Sequence, residues 1–253
     1  MKSFANNEPS GLPSQHAVQP KAIVVGGGGG LGRAVVTELL EEENYAVHTI
    51  ARDETAPPGG RHWPCDYSDT SITETAMAIT EAPGRLARLV ICNGVLHGEA
   101  FRPERTIKQV TRQSMAHVLE INTVLPLLWL AAFSDAIKYG DAPRIAVFSA
   151  RVGSIGDNAL GGWVSYRASK AALNMALKCA AIEFSRLNES AKLLAFHPGT
   201  VDTAMSEPFQ KGVPAGKLFS PAYVAQQLLG ILDSLEPDGE LSYLDWAGKT
   251  VPW

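Results

Sequence analysis

The sequence predicts an α/β fold in which helices cover both faces of a mostly parallel, doubly wound sheet of about seven strands. Short runs rich in β-branched residues alternate with helical segments of ten or more residues, which is the pattern of successive βαβ units. No break in composition along the 253 residues separates a second domain. Residues 21–253 are therefore expected to form a single domain.

Each predicted strand is a short apolar run, and each predicted helix repeats its apolar residues at helical spacing. The strands are expected at 21–25, 45–51, 61–65, 87–92, 144–150, 191–198 and 240–245. The helices are expected at 31–43, 71–82, 110–140, 165–187 and 221–235. Thr70 or Ser71 is expected to cap the second helix, and Pro126 is expected to kink the third.

The bulk composition is that of a globular protein with a sizeable core, with 45% hydrophobic and 19% charged residues. A net charge of -4 gives no reason to expect a nucleic acid or an acidic membrane as partner. The cysteines Cys65, Cys92 and Cys179 are too few and too scattered for a disulfide framework or a zinc site. They are expected to stay reduced in a cytoplasmic protein, and no metal site is predicted.

Residues 1–20 are rich in polar and turn-forming residues and lack the apolar centre of a signal peptide. They are expected to form a flexible N-terminal arm. No apolar stretch is expected to approach the ~18 residues that a membrane-spanning helix needs, so no membrane partner is predicted.

The stretch "VGGGGGLG" at 25–32 lies between the first predicted strand and the first predicted helix. A flexible linker has no reason to join a buried strand directly to an amphipathic helix. In a Rossmann-type fold, this position brings bare backbone and a helix N-terminus against the phosphates of a dinucleotide. The predicted phosphate-binding residues are Gly26, Gly28, Gly29, Gly30, Leu31 and Gly32.

The glycine spacing resembles the signature of the short-chain dehydrogenase/reductase family, with Val25 where that family usually has threonine. Further family motifs follow in the expected order between about Lys21 and Val201. The matching positions are Asp66, Gly94, Asn122, Tyr166, Lys170, Pro198, Gly199, Val201 and Thr203, and Asn93 stands where that family usually has alanine. The stretch around "FSARVGSIGDN" looks closest to a branch of small carbonyl reductases and C-factor-like signalling proteins.

Tyr166 and Lys170 are four residues apart on a predicted helix, so they share one face. An ammonium group near a phenol stabilises the phenolate, so the pKa of Tyr166 is expected to fall from its usual value near ~10. The resemblance implies that Tyr166 is the general acid or base, that Lys170 also holds the nicotinamide ribose, and that Asn122 supports a proton-relay water.

The family's usual catalytic serine is replaced here by Ala150. Ser149 precedes this position, but side chains alternate along a strand, so its hydroxyl is expected to point away. Ser154 lies twelve residues before Tyr166, close to the family's usual separation. Ser149, Ser154 and a site without this hydroxyl therefore remain as three alternatives.

The cofactor is predicted to be NADP(H) rather than NAD(H). Arg52 lies twenty residues beyond Gly32, where an arginine accommodates a 2′-phosphate. Asp53 is adjacent and would favour NAD if the strand ended one residue later. The resemblance places Asp66 at the adenine, and Asn93, Gly94 and the loop at 198–203 beside the rest of the cofactor.

The predicted function is NADP-dependent reduction of an aldehyde or ketone to an alcohol. The alternative is a nucleotide-binding signalling protein with little turnover, which the altered serine position and the C-factor-like resemblance both favour. Met205, Phe209 and Leu218 are expected either to make the substrate cleft partly apolar or simply to pack on the domain. The resemblance further implies a homodimer or homotetramer.

Overall fold

The computed structural model describes residues 18–52 and 59–253. Most of the expected N-terminal arm and Asp53 lie outside the described residues. The strands are β1 Lys21–Val25, β2 Ala46–Ala51, β3 Arg61–Pro64, β4 Leu86–Ile91, β5 Arg144–Phe148, β6 Lys192–His197, β7 Thr200–Val201, β8 Leu218–Phe219 and β9 Leu241–Asp245. The α-helices are α1 Gly30–Glu41, α2 Asp69–Glu81, α3 Arg112–Leu119, α4 Leu125–Ala132, α5 Ser134–Lys138, α6 Val164–Leu187 and α7 Pro221–Ser234.

Seven strands form the main sheet in the order β3-β2-β1-β4-β5-β6-β9, and every neighbouring pair is parallel. The doubly wound α/β fold predicted from the sequence is therefore confirmed. The order reverses between β1 and β4, which opens a crevice at the carboxyl ends of these strands, where open α/β sheets bind ligands. The short strands β7 and β8 pair separately, beyond the end of β6.

Apolar residues cover both faces of the sheet, as a buried parallel sheet requires. The side chains of β1 alternate between two cores: Ile23 packs on the face covered by α2, α4 and α6, and Val24 on the face covered by α1 and α7. Trp129 of α4 and Phe133, both fully buried, are among the largest side chains of the first core.

One prediction about a helix end was wrong. Helix α2 begins at Asp69, and its cap is Ser68, whose hydroxyl accepts a hydrogen bond from the Ser71 amide, so neither Thr70 nor Ser71 is the cap. The expected long third helix comprises α3, a π-helical turn at Glu120–Val124, α4 and α5. Pro126 lies in the first turn of α4, directly after the π-helical turn, and the kink expected there stays a prediction.

One helical run, residues 112–132, is long and apolar enough to cross a membrane by length and composition, with a mean hydropathy of 1.4 in its most apolar window. The expectation that no stretch approaches this length was therefore wrong. The run includes α3 and α4, which pack against α6 and α2, and 39% of the window is buried inside the fold. A core helix of an α/β protein has the same composition.

Candidate active site

The glycine run forms a tight turn that brings α1 against the end of β1. Gly26 has a φ of 79°, which favours glycine, and its amide donates to the carbonyl of Ile50 on β2. A Cβ on Gly32 would lie 2.3 Å from the Gly26 carbonyl oxygen, so glycine is needed there for the helix to approach the turn. No side chain caps α1, and its first backbone N–H groups are therefore available to bind an anion.

A cleft of about 510 Å³ lies between the glycine turn and the carboxyl ends of β4, β5 and β6. Most of the residues predicted from the sequence line it. They are Gly26, Gly29, Gly30, Leu31, Gly32, Asn93, Gly94, Ser149, Tyr166, Lys170, Pro198, Gly199, Val201 and Thr203.

Five of the predicted residues are not part of that lining. Gly28 follows the turn, and its carbonyl accepts a hydrogen bond from the Arg33 side chain. Arg52 is exposed just beyond β2, and Asp66 is exposed just beyond β3. The Ser68 backbone N–H donates to the Asp66 carboxylate and holds the pKa of Asp66 below its usual value. The remaining two, Asn122 and Ser154, lie behind the cleft wall.

Tyr166 lies in the first turn of α6, and Lys170 follows it one turn later. The Lys170 Nζ donates to the carbonyl of Phe148 at the end of β5, at 2.8 Å, and burial lowers the pKa of Lys170 to about 7. Burial also raises the pKa of Tyr166 to about 12, with a smaller contribution from Tyr243. The expected lowering of the phenol pKa was therefore wrong for this structure, because burial outweighs any benefit from the neighbouring amine.

Replacing Lys170 with methionine is expected to change how stability depends on pH. The pKa of Lys170 is about 7 in the fold, against an ordinary value of 10.5. Between these values the unfolded chain binds a proton that the folded chain does not, so wild-type stability relative to Lys170→Met falls as pH drops towards 7 and is constant below it. Urea unfolding of both proteins measures the unfolding free energy of wild type minus that of Lys170→Met, which should be lower at pH ~7 than at pH ~9. If this free-energy difference did not change with pH, the low pKa of Lys170 in the folded protein would be contradicted.

Asn122 lies in the π-helical turn and is fully buried. Its side chain accepts from the Val95 amide at 2.7 Å and donates to the Val95 carbonyl at 2.9 Å and to Ser169 Oγ at 3.0 Å. It therefore ties the loop after β4 to α6, beside Lys170. A Cβ on Gly94 in this loop would lie 3.8 Å from Lys170 Nζ, so glycine keeps the cleft open at this point.

Ala150, which by the resemblance replaces the usual serine, lies in the cleft wall. Ser149 also borders the cleft, but its hydroxyl donates to Asn174 Oδ1 at 2.6 Å. Ser154 is buried, and its hydroxyl accepts from the Asp157 amide at 3.1 Å. Both hydroxyls are thus engaged with the protein. The Tyr243 hydroxyl, which the sequence analysis missed, donates to the Ala150 carbonyl at 2.6 Å.

The other end of the cleft is apolar. Met205 and Phe209 line it as expected, together with Trp163, which the sequence analysis missed. Leu218 does not line the cleft. It lies on β8, where it pairs with Thr200.

Cys92 also lines the cleft, and burial raises the pKa of its thiol, so it is unsuited to act as a nucleophile. His197 lines the cleft as well, and burial lowers its pKa to about 4, so it is neutral at pH 7. His97 lies outside the lining, with Nε2 3.1 Å from the Met205 carbonyl oxygen.

Comparison with known proteins assigns the family. The model of the short chain dehydrogenase family matches residues 20–213. The chain therefore belongs to the short-chain dehydrogenase/reductase family, and it is an oxidoreductase that uses a pyridine nucleotide.

Individual relatives agree with this assignment. The C-signal of Myxococcus xanthus is 34% identical over 139 residues, which cover 55% of this chain and 78% of that protein. The benzil reductase of Bacillus cereus is 26% identical, with 88% of this chain and 98% of the relative covered. The NADPH-bound carbonyl reductase from chicken fatty liver is 25% identical and superimposes with a TM-score of 0.78, covering 94% of this chain and 97% of the other.

Proposed function

We propose that this protein is an NADPH-dependent reductase that converts an aldehyde or ketone to an alcohol, with Tyr166 as the proton donor. The observation that carries the proposal is the position of Tyr166 and Lys170 in the same cleft as the glycine turn. The similarity of the chain to a benzil reductase and to a carbonyl reductase supports carbonyl reduction as the reaction.

The cleft is lined by groups that could hold a pyridine nucleotide. The turn at Gly26 and the uncapped start of α1 would hold the pyrophosphate, because both present bare backbone. Thr203 approaches α1 so closely that a Cβ on Gly30 would lie 3.3 Å from its methyl group. The loop at 198–203 would thus enclose the cofactor, and Lys170 would hold the nicotinamide ribose. The bound cofactor would supply a hydride.

Tyr166 would donate a proton to the carbonyl oxygen of the substrate as that oxygen gains negative charge. A phenol with a pKa of about 12 is protonated at neutral pH, as a proton donor must be before transfer. In its protonated form Lys170, which is held by the Phe148 carbonyl, would favour the deprotonated form of the phenol after transfer. Asn122 would fix this arrangement by joining the Gly94 loop to α6.

Replacing Arg52 with alanine is expected to raise KM for NADPH by ~10–100-fold and to leave KM for NADH unchanged. The guanidinium is exposed just beyond β2, where it would pair with a 2′-phosphate, and hydrogen bonds to a charged group contribute ~1.5–3 kcal/mol. Steady-state rates with both cofactors measure the effect, and Arg186→Ala in the last turn of α6 is the matched control. A wild-type preference for NADH would overturn the choice of cofactor.

Replacing Ala150 with serine is expected to raise kcat. Neither Ser149 nor Ser154 directs its hydroxyl to the cleft, so we propose that the site lacks the usual donor to the substrate oxygen. A donor of this kind contributes ~10²–10³-fold in other enzymes, and restoring it should give a rise of ~10-fold or more. Ala150→Gly controls for the change of backbone and space. An unchanged or lower kcat for Ala150→Ser, with Ser149→Ala impaired, would instead assign the role to Ser149.

A second candidate is a nucleotide-binding signalling protein that turns over little substrate. Ala150 in the cleft wall and the similarity to the C-signal of Myxococcus xanthus favour it. NADPH oxidation with a panel of aldehydes, ketones and quinones distinguishes the two, because binding without turnover would support signalling. The cytoplasmic location and the homodimer or homotetramer stay predictions, as does the absence of nucleic-acid and membrane partners.

A further inference from the structure

The loop before α6 has an unusual backbone that the proposed reaction does not explain. Gly161, Gly162 and Trp163 have φ values of 62°, 65° and 49°, so all three lie in the left-handed region. Glycine adopts this region freely, but a tryptophan there is strained. Strain of this kind persists when surrounding contacts impose it, and it is concentrated at functional sites.

Glu104 imposes the conformation. This residue is buried, and its backbone carbonyl accepts a hydrogen bond from the Trp163 amide at 2.5 Å. Its carboxylate accepts from the Ser165 amide at 3.1 Å and from the Ser165 hydroxyl. Glu104 thus caps α6 from a distant part of the chain, in place of a side chain from the preceding residue, and fixes where the Trp163 ring lies.

The Trp163 ring is directed into the cleft, between the reacting tyrosine and a second aromatic residue. Its centroid lies 6.3 Å from the Tyr166 ring and 5.0 Å from the Phe209 ring, with edge-on geometry in both pairs. His97 packs on Phe209 with a centroid distance of 5.7 Å. Trp163, Tyr166 and Phe209 all line the cleft, so the Trp163 ring lies beside the phenol and Phe209 extends the aromatic surface beyond it.

We propose that Trp163 and Phe209 select substrates in which an aromatic ring is attached to the carbonyl carbon. This inference rests on the proposed carbonyl reduction and names its substrate class. A flat ring packed against the cleft-facing surfaces of these two side chains would gain aromatic contacts beyond simple burial, and such contacts can change affinity by up to about tenfold. A carbonyl group attached directly to that ring would stay within reach of Tyr166. The lining also includes Leu96, Met205 and Val213, which suit an uncharged substrate.

The test compares acetophenone with cyclohexyl methyl ketone, which differ in having a flat or a puckered ring of six carbons. We expect Trp163→Leu and Phe209→Leu to lower the ratio of kcat/KM for the aryl ketone over the cyclohexyl ketone by about fivefold to tenfold. Trp163→Phe, which keeps a ring, should retain most of the ratio. Tyr139→Leu removes an exposed aromatic residue at the end of α5 and should leave the ratio unchanged.

Ligand-detected NMR measures the binding of the two ketones to the same variants. This readout does not need turnover. We expect wild type to bind acetophenone more tightly than the cyclohexyl ketone and Trp163→Leu to lose that difference. If wild type reduces both ketones with a ratio that Trp163→Leu leaves unchanged, this inference is wrong and the proposed function stands. If wild type reduces no carbonyl compound, the proposed function fails, and equal binding of both ketones would then overturn the inference too.

Discussion

Replacing Tyr166 with phenylalanine is expected to lower kcat for carbonyl reduction by ~10²–10⁴-fold, the contribution of a positioned general acid. The substitution removes a hydroxyl and keeps the ring, so the contact with Trp163 and the packing of α6 should be preserved. Without the phenol, the oxygen of the substrate must take its proton from water as the negative charge develops. Initial rates of NADPH oxidation with a carbonyl substrate measure the loss.

Two controls separate this effect from damage to the fold. Tyr139→Phe removes the hydroxyl of an exposed tyrosine and should leave kcat unchanged. The dissociation constant for NADPH should be similar in Tyr166→Phe and wild type, because the proposed pyrophosphate contacts lie at the glycine turn. A variant that keeps activity within about threefold of wild type would refute Tyr166 as the proton donor.

Replacing Gly32 with alanine is expected to weaken NADPH binding by at least ~10-fold and to destabilise the fold by about 1–3 kcal/mol. The new Cβ would lie 2.3 Å from the Gly26 carbonyl oxygen and 2.9 Å from the Gly27 Cα. Both are backbone atoms, so the turn or the start of α1 must shift, and the N–H groups proposed to hold the phosphates shift with it. Calorimetric titration with NADPH and urea unfolding measure the two effects.

Gly230→Ala provides the matched control. Gly230 is exposed in the middle of α7, and a Cβ there would have no neighbour within 4 Å. Alanine is favoured over glycine in a helix by about 1 kcal/mol, so this variant should be more stable than wild type and should bind NADPH equally well. If Gly32→Ala behaved in the same way, the close approach of α1 to the turn would not matter for binding.

The parts of the molecule that were predictable from sequence are those that local spacing determines. The glycine turn between β1 and α1 follows from residues within one short stretch, and the four-residue spacing of Tyr166 and Lys170 places both on one face of α6. The parallel sheet follows from the alternation of strands and helices. The structure contains all of these features.

Features that depend on distant contacts could not be predicted. Trp163 enters the cleft because Glu104, far away in sequence, fixes the start of α6. The hydroxyl of Ser149 is engaged by Asn174 on α6, a pairing that strand alternation alone does not reveal. The sign of the Tyr166 pKa shift depends on how deeply the fold buries the phenol, so counting nearby charges along the helix gave the wrong direction.

Calorimetric titration of the purified protein with NADPH and, separately, with NADH shows whether the glycine turn holds a pyridine nucleotide in the cleft that contains Tyr166. We expect saturable heat with one site per chain for NADPH, and weaker binding in Gly32→Ala than in Gly230→Ala. Absence of binding heat for both nucleotides, at concentrations where a related reductase binds, would contradict this expectation.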